Sequence, residues 1–322
     1  MTAATETLAP GAPLRLGTRA SALATTQSRQ VADRITELTG HPVELVHITT
    51  HGDVTRASLS SLGGTGVFAT ALRDALLRGE CDLVVHSLKD LPTAPCPGLE
   101  ISGIPLRADA RDALCARDGF TLYSLPEGAR VGTGSPRRIA QLYAARPDLT
   151  VIDIRGNIDT RLGRIEDDLD AVLLAAAGLG RLGRTDAITQ LIDLAEWPTA
   201  PGQGALALES REGSPVSAAL AALDDPHTRN SITAERAVLN ALEAGCAAPV
   251  GVSTLATSTA SGRGHSVTAQ VYSLDGMESL TVTRELPGVL SAQALLRSEE
   301  LGRDIARELL DRGAATLAPL GR

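Results

Sequence analysis

Short apolar runs alternate with amphipathic stretches along the first two-thirds of the chain. Leu14-Arg15-Leu16-Gly17 reads as a strand. Ser21 to Leu38 places Leu23, Val31, Ile35 and Leu38 at helical spacing, and Gly40 supplies a stop. Val43 to Thr49 alternates as a half-buried strand does. Phe68 to Leu77 is again helical, with Gly79 ending it, and Leu83-Val84-Val85 is a continuous run suited to a buried strand. Thr55 to Gly66, polar and rich in Gly and Ser, reads as a loop. This β-α-β-α-β alternation implies a mostly parallel sheet covered by helices.

A second such unit begins near Arg107. Ala113 to Ala116, Arg130 to Gly132, Val151 to Ile154 and Ala171 to Ala175 read as its strands; Pro136 to Ala144 and Thr160 to Asp167 read as its helices. Trp197 to Gly204, rich in Pro and Gly, looks like a crossover, after which Ala205 to Leu208 returns as a strand to the first unit. Beyond Pro226 the order changes. A helix over Ser231 to Leu242 precedes strands at Val250 to Leu255, Ser266 to Tyr272 and Leu280 to Arg284, and a long helix over Ala292 to Leu310 follows. Grouped strands between helices predict a small antiparallel α+β domain. The expected division is residues 1–106 with 204–225, residues 107–203, and residues 226–322.

With aromatic residues at only 2%, aliphatic side chains must fill these cores. A formal charge of −8 argues against a nucleic-acid partner, which would require a basic surface. No stretch has the length of a membrane helix, and Met1 to Pro13 lacks the basic start and apolar core of a secretory signal. Cys81, Cys96, Cys115 and Cys246 show neither zinc-ligand nor redox spacing, so free thiols in a reducing cytoplasm are expected.

The chemistry concentrates where strands end. Leu83-Val84-Val85 runs into His86-Ser87-Leu88-Lys89-Asp90-Leu91-Pro92, and ionisable groups at the carboxyl end of a buried strand line a ligand crevice in α/β folds. Adjacent strand residues point to opposite faces, so Lys89 and Asp90 would each face something else. His86 has no partner at metal-ligand spacing, which favours a structural hydrogen bond. Arg19 follows the first strand. Arg137 and Arg138 follow Gly132-Thr133-Gly134-Ser135-Pro136, and Arg155 and Arg161 flank Gly156-Asn157-Ile158-Asp159-Thr160. One such arginine would ordinarily be a solvated surface residue. Recurrence at three strand ends, beside helix N-termini, predicts a polyanionic ligand bearing carboxylates or phosphates.

Gly178-Leu179-Gly180-Arg181-Leu182-Gly183 matches a dinucleotide fingerprint in letters, but no acid-terminated strand follows, so a Gly-rich turn between strand and helix is the better reading. Cys246 follows a helix, where Gly245 lets the backbone present its thiol; an ordinary small residue at a turn is the alternative. Cys81 and Cys115 read as inert core, and Cys96, between two prolines, as exposed.

Taken together, Gly17-Thr18-Arg19-Ala20-Ser21, Val85 to Pro92, Gly132 to Arg138, Ile154 to Arg161, Pro201-Gly202-Gln203-Gly204-Ala205 and Gly245 to Gly251 resemble, in order, the motifs of the hydroxymethylbilane synthase (porphobilinogen deaminase) family. The resemblance runs from about Leu14 to Leu310. It implies two α/β domains like those of periplasmic binding proteins, with the active cleft between them, and a small α+β C-terminal domain. It implies a cytoplasmic, monomeric transferase of porphyrin and heme biosynthesis, without metal, nucleic acid or membrane partner. Four porphobilinogen molecules would be joined head to tail with loss of ammonia, and water would release the linear tetrapyrrole.

The implied cofactor is a dipyrromethane held by a thioether to Cys246. Lys89, Asp90, Thr133, Ser135, Arg137, Arg138, Arg155 and Gly156 would surround it. Arg19, Ser21, Arg155, Arg161 and Gln203 would bind substrate, and Asp90 would be the catalytic acid. The chain departs from the family at Thr65, where Lys is frequent, and at Gly134 and Pro136, where Ser and Leu are common. The rival readings are a non-catalytic two-lobed anion-binding protein and a nucleotide-dependent oxidoreductase built on Gly178 to Gly183.

Overall fold

The computed structural model describes residues 8–9, 11–49, 67–245, 247–259, 262–287 and 292–320. The expected loop over Thr55 to Gly66, the Thr65 departure and Cys246 lie outside them. In chain order the elements are β1 (Leu14–Thr18), α1 (Ala22–Thr39), β2 (Val43–His47), α2 (Val67–Leu77), β3 (Leu83–Ser87) and β4 (Leu99–Gly103). Next come β5 (Asp112–Ala116), β6 (Arg130–Gly132), α3 (Pro136–Ala145), β7 (Thr150–Ile152), α4 (Ile158–Asp167), β8 (Ala171–Ala175), α5 (Ala176–Arg181) and β9 (Gln190–Leu191). The chain continues through β10 (Leu206–Arg211), α6 (Val216–Ala221), α7 (Pro226–Ala241), β11 (Val250–Thr259), β12 (Gly262–Tyr272), β13 (Ser279–Pro287), α8 (Ala292–Asp311) and α9 (Ala314–Leu317).

The chain forms two compact units. The first comprises Met1–Arg107 and Ala205–Arg229. Its sheet has the order β2-β1-β3-β10-β4, with β1 parallel to β2 and β3, and β10 antiparallel to both β3 and β4. The sheet is thus mixed, because β10 arrives by a crossover and not through a right-handed β-α-β connection. One face buries Leu14, Leu16, Leu83, Val85 and Leu208 against Val31 and Ile35 of α1 and Leu220 of α6. Val84, on the other face, packs with Leu72 and Leu76 of α2, as strand alternation requires. The Ser21 side chain caps α1, accepting from the Ala24 N–H at 3.4 Å, and Gly40 ends it in the left-handed conformation at φ +73°. Leu38, expected on the inner face, is exposed, since the cluster packed on α1 stops at Ile35.

The second unit comprises Ala108–Gly204 and Asn230–Arg322 and contains two sheets. The sheet β7-β6-β8-β5-β9 repeats the first unit's pattern: β6 is parallel to β7 and β8, and β5 is antiparallel to β8 and β9. Its strands alternate cleanly. Leu114 and Leu173 pack with Leu142 of α3 on one face; Ala113, Cys115, Val172 and Leu174 pack with Leu162 of α4 and Leu179 of α5 on the other. The other sheet is the antiparallel β11-β12-β13 meander. Val250, Val252, Val267, Val271 and Val282 pack there against Val238 of α7 and Ile305 and Leu309 of α8.

Gly178 and Gly180 lie inside α5. The expected Gly-rich turn is therefore a short helix, held by the buried Ala176, Ala177 and Leu179 despite glycine's poor propensity, and only Gly183, at φ +67°, sits in a turn.

Candidate active site

In the first unit, β3 ends in a 3₁₀ turn over Leu88–Asp90. Leu88 and Leu91 are buried at either end, the Leu88 N–H donates to the Ala205 carbonyl at 3.0 Å, and the Leu91 N–H closes the turn on the Leu88 carbonyl at 3.1 Å. Lys89 and Asp90 lie between these anchors and are exposed. They occupy one turn and not a strand, so the expected opposite-face arrangement is replaced by neighbouring display from a fixed base. Ser87 pairs with the Gln27 amide of α1 at 3.2 Å.

At the end of β1, the Arg19 carbonyl accepts from the Thr25 hydroxyl at 3.3 Å, and the Arg19 side chain is half-buried. Ser21 serves as the cap of α1, so its hydroxyl oxygen already accepts one backbone N–H.

Behind the turn, His86 is buried and its Nε2 lies 3.1 Å from Glu209 Oε2. Arg73 of α2 donates to both Glu209 oxygens, at 2.7 Å and 3.0 Å. The structural reading of His86 fits this contact. Burial alone would raise the Glu209 pKa, but hydrogen bonds from His86 and Arg73 outweigh it and hold the carboxyl below its ordinary value. A carboxyl lowered on folding stabilises the fold above its unfolded pKa, near 4.5, and the stabilisation is lost as pH falls through the folded value. Glu209→Gln should cost about 1–3 kcal/mol at neutral pH. The penalty should shrink in acid, as checked by urea melts at pH 7 and pH 4; a constant difference would count against the assignment.

In the second unit, three strand ends converge. The Gly132-Thr133-Gly134-Ser135 loop leads from β6 into α3, where the Ser135 hydroxyl caps the Arg138 N–H at 3.5 Å and Pro136 occupies the first turn. Pro at this position explains the Pro136 departure, since its fixed φ suits a helix start. The Gly134 departure also has a reason: a Cβ there would stand 2.8 Å from both Asp153 Oδ1 and the Ile154 carbonyl. Thr133 is buried, its hydroxyl accepting from the Ser135 N–H at 3.3 Å. Gly156, at φ +109°, opens the turn into α4, and Asn157 caps that helix by accepting from the Thr160 N–H at 2.8 Å.

Arg137 and Arg138, expected at a loop edge, are both buried in the first turn of α3. The cause is Asp112 at the start of β5, itself fully buried. Its carboxylate accepts from Arg137 Nη1 at 2.9 Å, Arg138 Nη2 at 2.6 Å, Trp197 Nε1 at 3.0 Å and Gln203 Nε2 at 2.8 Å. Burial opposes ionisation of Asp112, yet the two guanidinium groups prevail and drive its pKa far below the carboxylate range. Gln203 therefore uses its amide on Asp112 and on the Ala110 carbonyl at 2.9 Å, holding the arginine pair in place. One carboxylate against two guanidinium groups leaves a net positive charge, and the Nε of each arginine is buried without a partner among the described residues.

Arg161 of α4 is half-buried and donates to the Gly156 carbonyl at 2.8 Å. Burial lowers its pKa, and the charges of Arg138 and Arg155 push it the same way. Arg155 is exposed, with Asp153 at a loose 3.6 Å. The fold thus collects Thr133, Ser135, Arg137, Arg138, Arg155, Gly156, Arg161 and Gln203 in the second unit, and Arg19, Ser21, Lys89 and Asp90 in the first.

The model of the porphobilinogen deaminase dipyromethane cofactor binding domain matches residues 14–218, and that of the porphobilinogen deaminase C-terminal domain matches residues 230–311. The chain belongs to the porphobilinogen deaminase family. Its relatives include the porphobilinogen deaminases of Leifsonia xyli, 59% identical with 95% of this chain and 94% of the relative covered, and of Cutibacterium acnes, 52% identical with 95% and 97% covered. That of Thermobifida fusca is 51% identical with 94% of each chain covered. Among solved structures, a periplasmic substrate-binding protein of an ABC transporter from Coxiella burnetii is similar at 16% identity and a TM-score of 0.42, covering 67% of this chain and 93% of that one.

Two residues escaped the sequence reading of this porphobilinogen deaminase family member. Asp112 opens β5, one position before the apolar run that the sequence marks as a strand; an acid abutting an all-apolar strand is the signal that points to it. Arg181, hidden in the fingerprint-like glycines, is half-buried on α5, donates to the Gly204 carbonyl at 2.8 Å, and is desolvated by its surroundings. Cys81 and Cys115 are buried, as expected of core thiols; Cys96 is partly buried against the α2 cluster and not fully exposed.

Proposed function

We infer that this chain is a hydroxymethylbilane synthase, a transferase that joins four porphobilinogen molecules on a covalent dipyrromethane and releases the linear tetrapyrrole by hydrolysis. The observation that carries the reading is the pair of buried guanidinium groups, Arg137 and Arg138, that share the single carboxylate of Asp112 at 2.9 Å and 2.6 Å, an excess of positive charge at the start of α3 that calls for an anionic ligand. Porphobilinogen bears an acetate and a propionate, so each added unit brings two carboxylates that bidentate guanidinium groups suit. The orphaned Nε groups of Arg137 and Arg138 and the net charge around Asp112 favour the same kind of ligand. The cofactor's chemistry therefore fits the residues present.

When bound, the dipyrromethane supplies the pyrrole position to which porphobilinogen units are joined. Cys246 is the proposed attachment point, because a thiolate is a strong nucleophile toward the electrophile that porphobilinogen forms on losing ammonia. Arg137 and Arg138 hold cofactor carboxylates with Lys89, Thr133, Ser135, Arg155 and Gly156; Arg19, Ser21, Arg155 and Arg161 orient the incoming substrate. Gln203 supports the site through its hold on Asp112. The Asp90 carboxyl gives the leaving amine its proton, sets a negative charge against the cation left behind, and accepts the α-proton after coupling. The reading takes the enzyme as a monomer in the cytoplasm, divided into residues 1–106 with 204–225, 107–203, and 226–322, the last carrying Cys246.

Incubation with porphobilinogen followed by intact-mass spectrometry tests the function. The chain is expected to carry covalent pyrroles and to gain further mass one pyrrole at a time. A mass that stays at that of the bare polypeptide would overturn it.

A further inference from the structure

Arg137 is tied to more than Asp112. Its Nη1 also donates to Gln141 Oε1, one turn further along α3, at 2.7 Å, and to the Pro198 carbonyl at 3.3 Å. A guanidinium has only donors, so the Gln141 amide must turn its oxygen toward Arg137. Its Nε2 then donates to the Pro198 carbonyl at 2.9 Å and to the Tyr272 hydroxyl at 3.3 Å. Tyr272, in turn, donates through its hydroxyl to the Gln270 side chain. Gln141 and Tyr272 are both buried, and burial pushes the Tyr272 phenol up to about 12, so it remains a donor at any working pH.

Tyr272 ends β12, and its backbone N–H donates to the Pro249 carbonyl at 3.1 Å. Pro249 stands three residues after Cys246 in the chain. One unbroken path therefore runs from Asp112 through Arg137, Gln141 and Tyr272 to the segment that follows Cys246. Close packing stiffens both ends of it: a Cβ on Gly251 would lie 2.4 Å from the Pro198 carbonyl, and one on Gly276 would lie 2.2 Å from the Ala140 carbonyl of α3. Holding two sheets together needs only apolar contact. A buried polar chain in that position fixes the direction of a guanidinium, which apolar contact cannot do.

We propose that Gln141 and Tyr272 are positioning residues for cofactor assembly, fixing the direction of the Arg137 guanidinium relative to the backbone at Pro249, three residues after Cys246 in the chain. The proposal rests on the reading that Cys246 bears the dipyrromethane and that Arg137 binds its carboxylates. Neither residue touches the reacting atoms; each acts through Arg137.

The test uses full-length protein made in cells unable to synthesise porphobilinogen, so that it starts without cofactor. Porphobilinogen is then added and the mass gain followed over time for the unaltered chain, Tyr272→Phe, Gln141→Met and Cys246→Ser. Tyr272→Phe and Gln141→Met keep shape and lose the hydrogen bonds, and each is expected to load roughly tenfold more slowly when compared at the same number of degrees below its own melting temperature. Loading at the unaltered rate in both variants overturns the proposal. So does slowed loading that disappears when the reaction is cooled by as many degrees as the melting temperature has fallen, because that marks a folding defect. Cys246→Ser separates the two layers: if it gains the same covalent mass, the attachment reading fails, whatever the other variants do.

Discussion

Asp90→Asn is expected to lower turnover by a factor of roughly 10²–10⁴, the range that a positioned acid–base group contributes, while leaving the fold and the covalently bound pyrrole in place. The argument starts from the turn. Leu88 and Leu91 are buried on either side, and the Leu88 N–H is bonded to Ala205, so the backbone under Asp90 is fixed by groups that the substitution leaves alone. The Asp90 side chain is exposed, and replacing it with an amide of equal size removes no packing. What Asn lacks is a proton to give, an oxygen basic enough to take one back, and a negative charge opposite the cation that loss of ammonia creates. Asp90→Glu, which keeps all three but displaces them by a methylene, should fall between the two. Steady-state turnover and intact mass decide it: Asp90→Asn with cofactor bound and turnover within about tenfold of the unaltered enzyme would remove Asp90 from the mechanism.

The site was legible in the sequence wherever chemistry lies within one local segment. The start of α3 and the Gly156 turn can both be read from short motifs, because strand end, glycine and helix start follow one another in the chain, whereas the turn after β3 reads as a continuing strand because no glycine marks it. Burial could not be read this way. Arg137 and Arg138 look like solvated loop arginines until Asp112, 25 and 26 positions away, is folded beneath them. His86 lacked a partner for the same reason, since Glu209 lies 123 positions away. Among the elements, the long periodic helices were plain. β4 was missed because it carries only a weak alternation and pairs with β10 alone, and β9, Gln190–Leu191, is too short to show a period. α5 does not show in the sequence because its glycines argue against a helix that tertiary packing nevertheless holds.

The largest loss of stability is expected from Asp112→Ala. Four donors converge on this carboxylate, and the residue is fully buried. Removing it strands two guanidinium charges in the interior, and breaking a buried ion pair by deleting one partner typically costs about 3–5 kcal/mol. For a unit of this size that corresponds to a fall in melting temperature of about 6–20 °C. Asp112→Asn keeps the shape and part of the hydrogen bonding but not the charge, so it should recover only a fraction of the loss. The pH dependence follows from the depressed pKa. The stabilisation is complete above the unfolded value near 3.8 and is lost as pH falls below it toward the lower folded value, because the unfolded chain then takes up the proton first. The unaltered enzyme and Asp112→Ala should therefore converge in stability in strong acid and differ most near neutrality. The consequence reaches the site as well: without Asp112, the acceptors left to the Arg138 guanidinium among the described residues are the Leu173 carbonyl, at 3.0 Å, and Gln203, at 3.5 Å. Its guanidinium is then free to rotate away from a ligand carboxylate, and covalent loading with porphobilinogen should slow even at temperatures where the variant is folded. A variant that melts within about 2 °C of the unaltered enzyme would mean that the two arginines find compensation elsewhere, and that Asp112 is not the group that organises them.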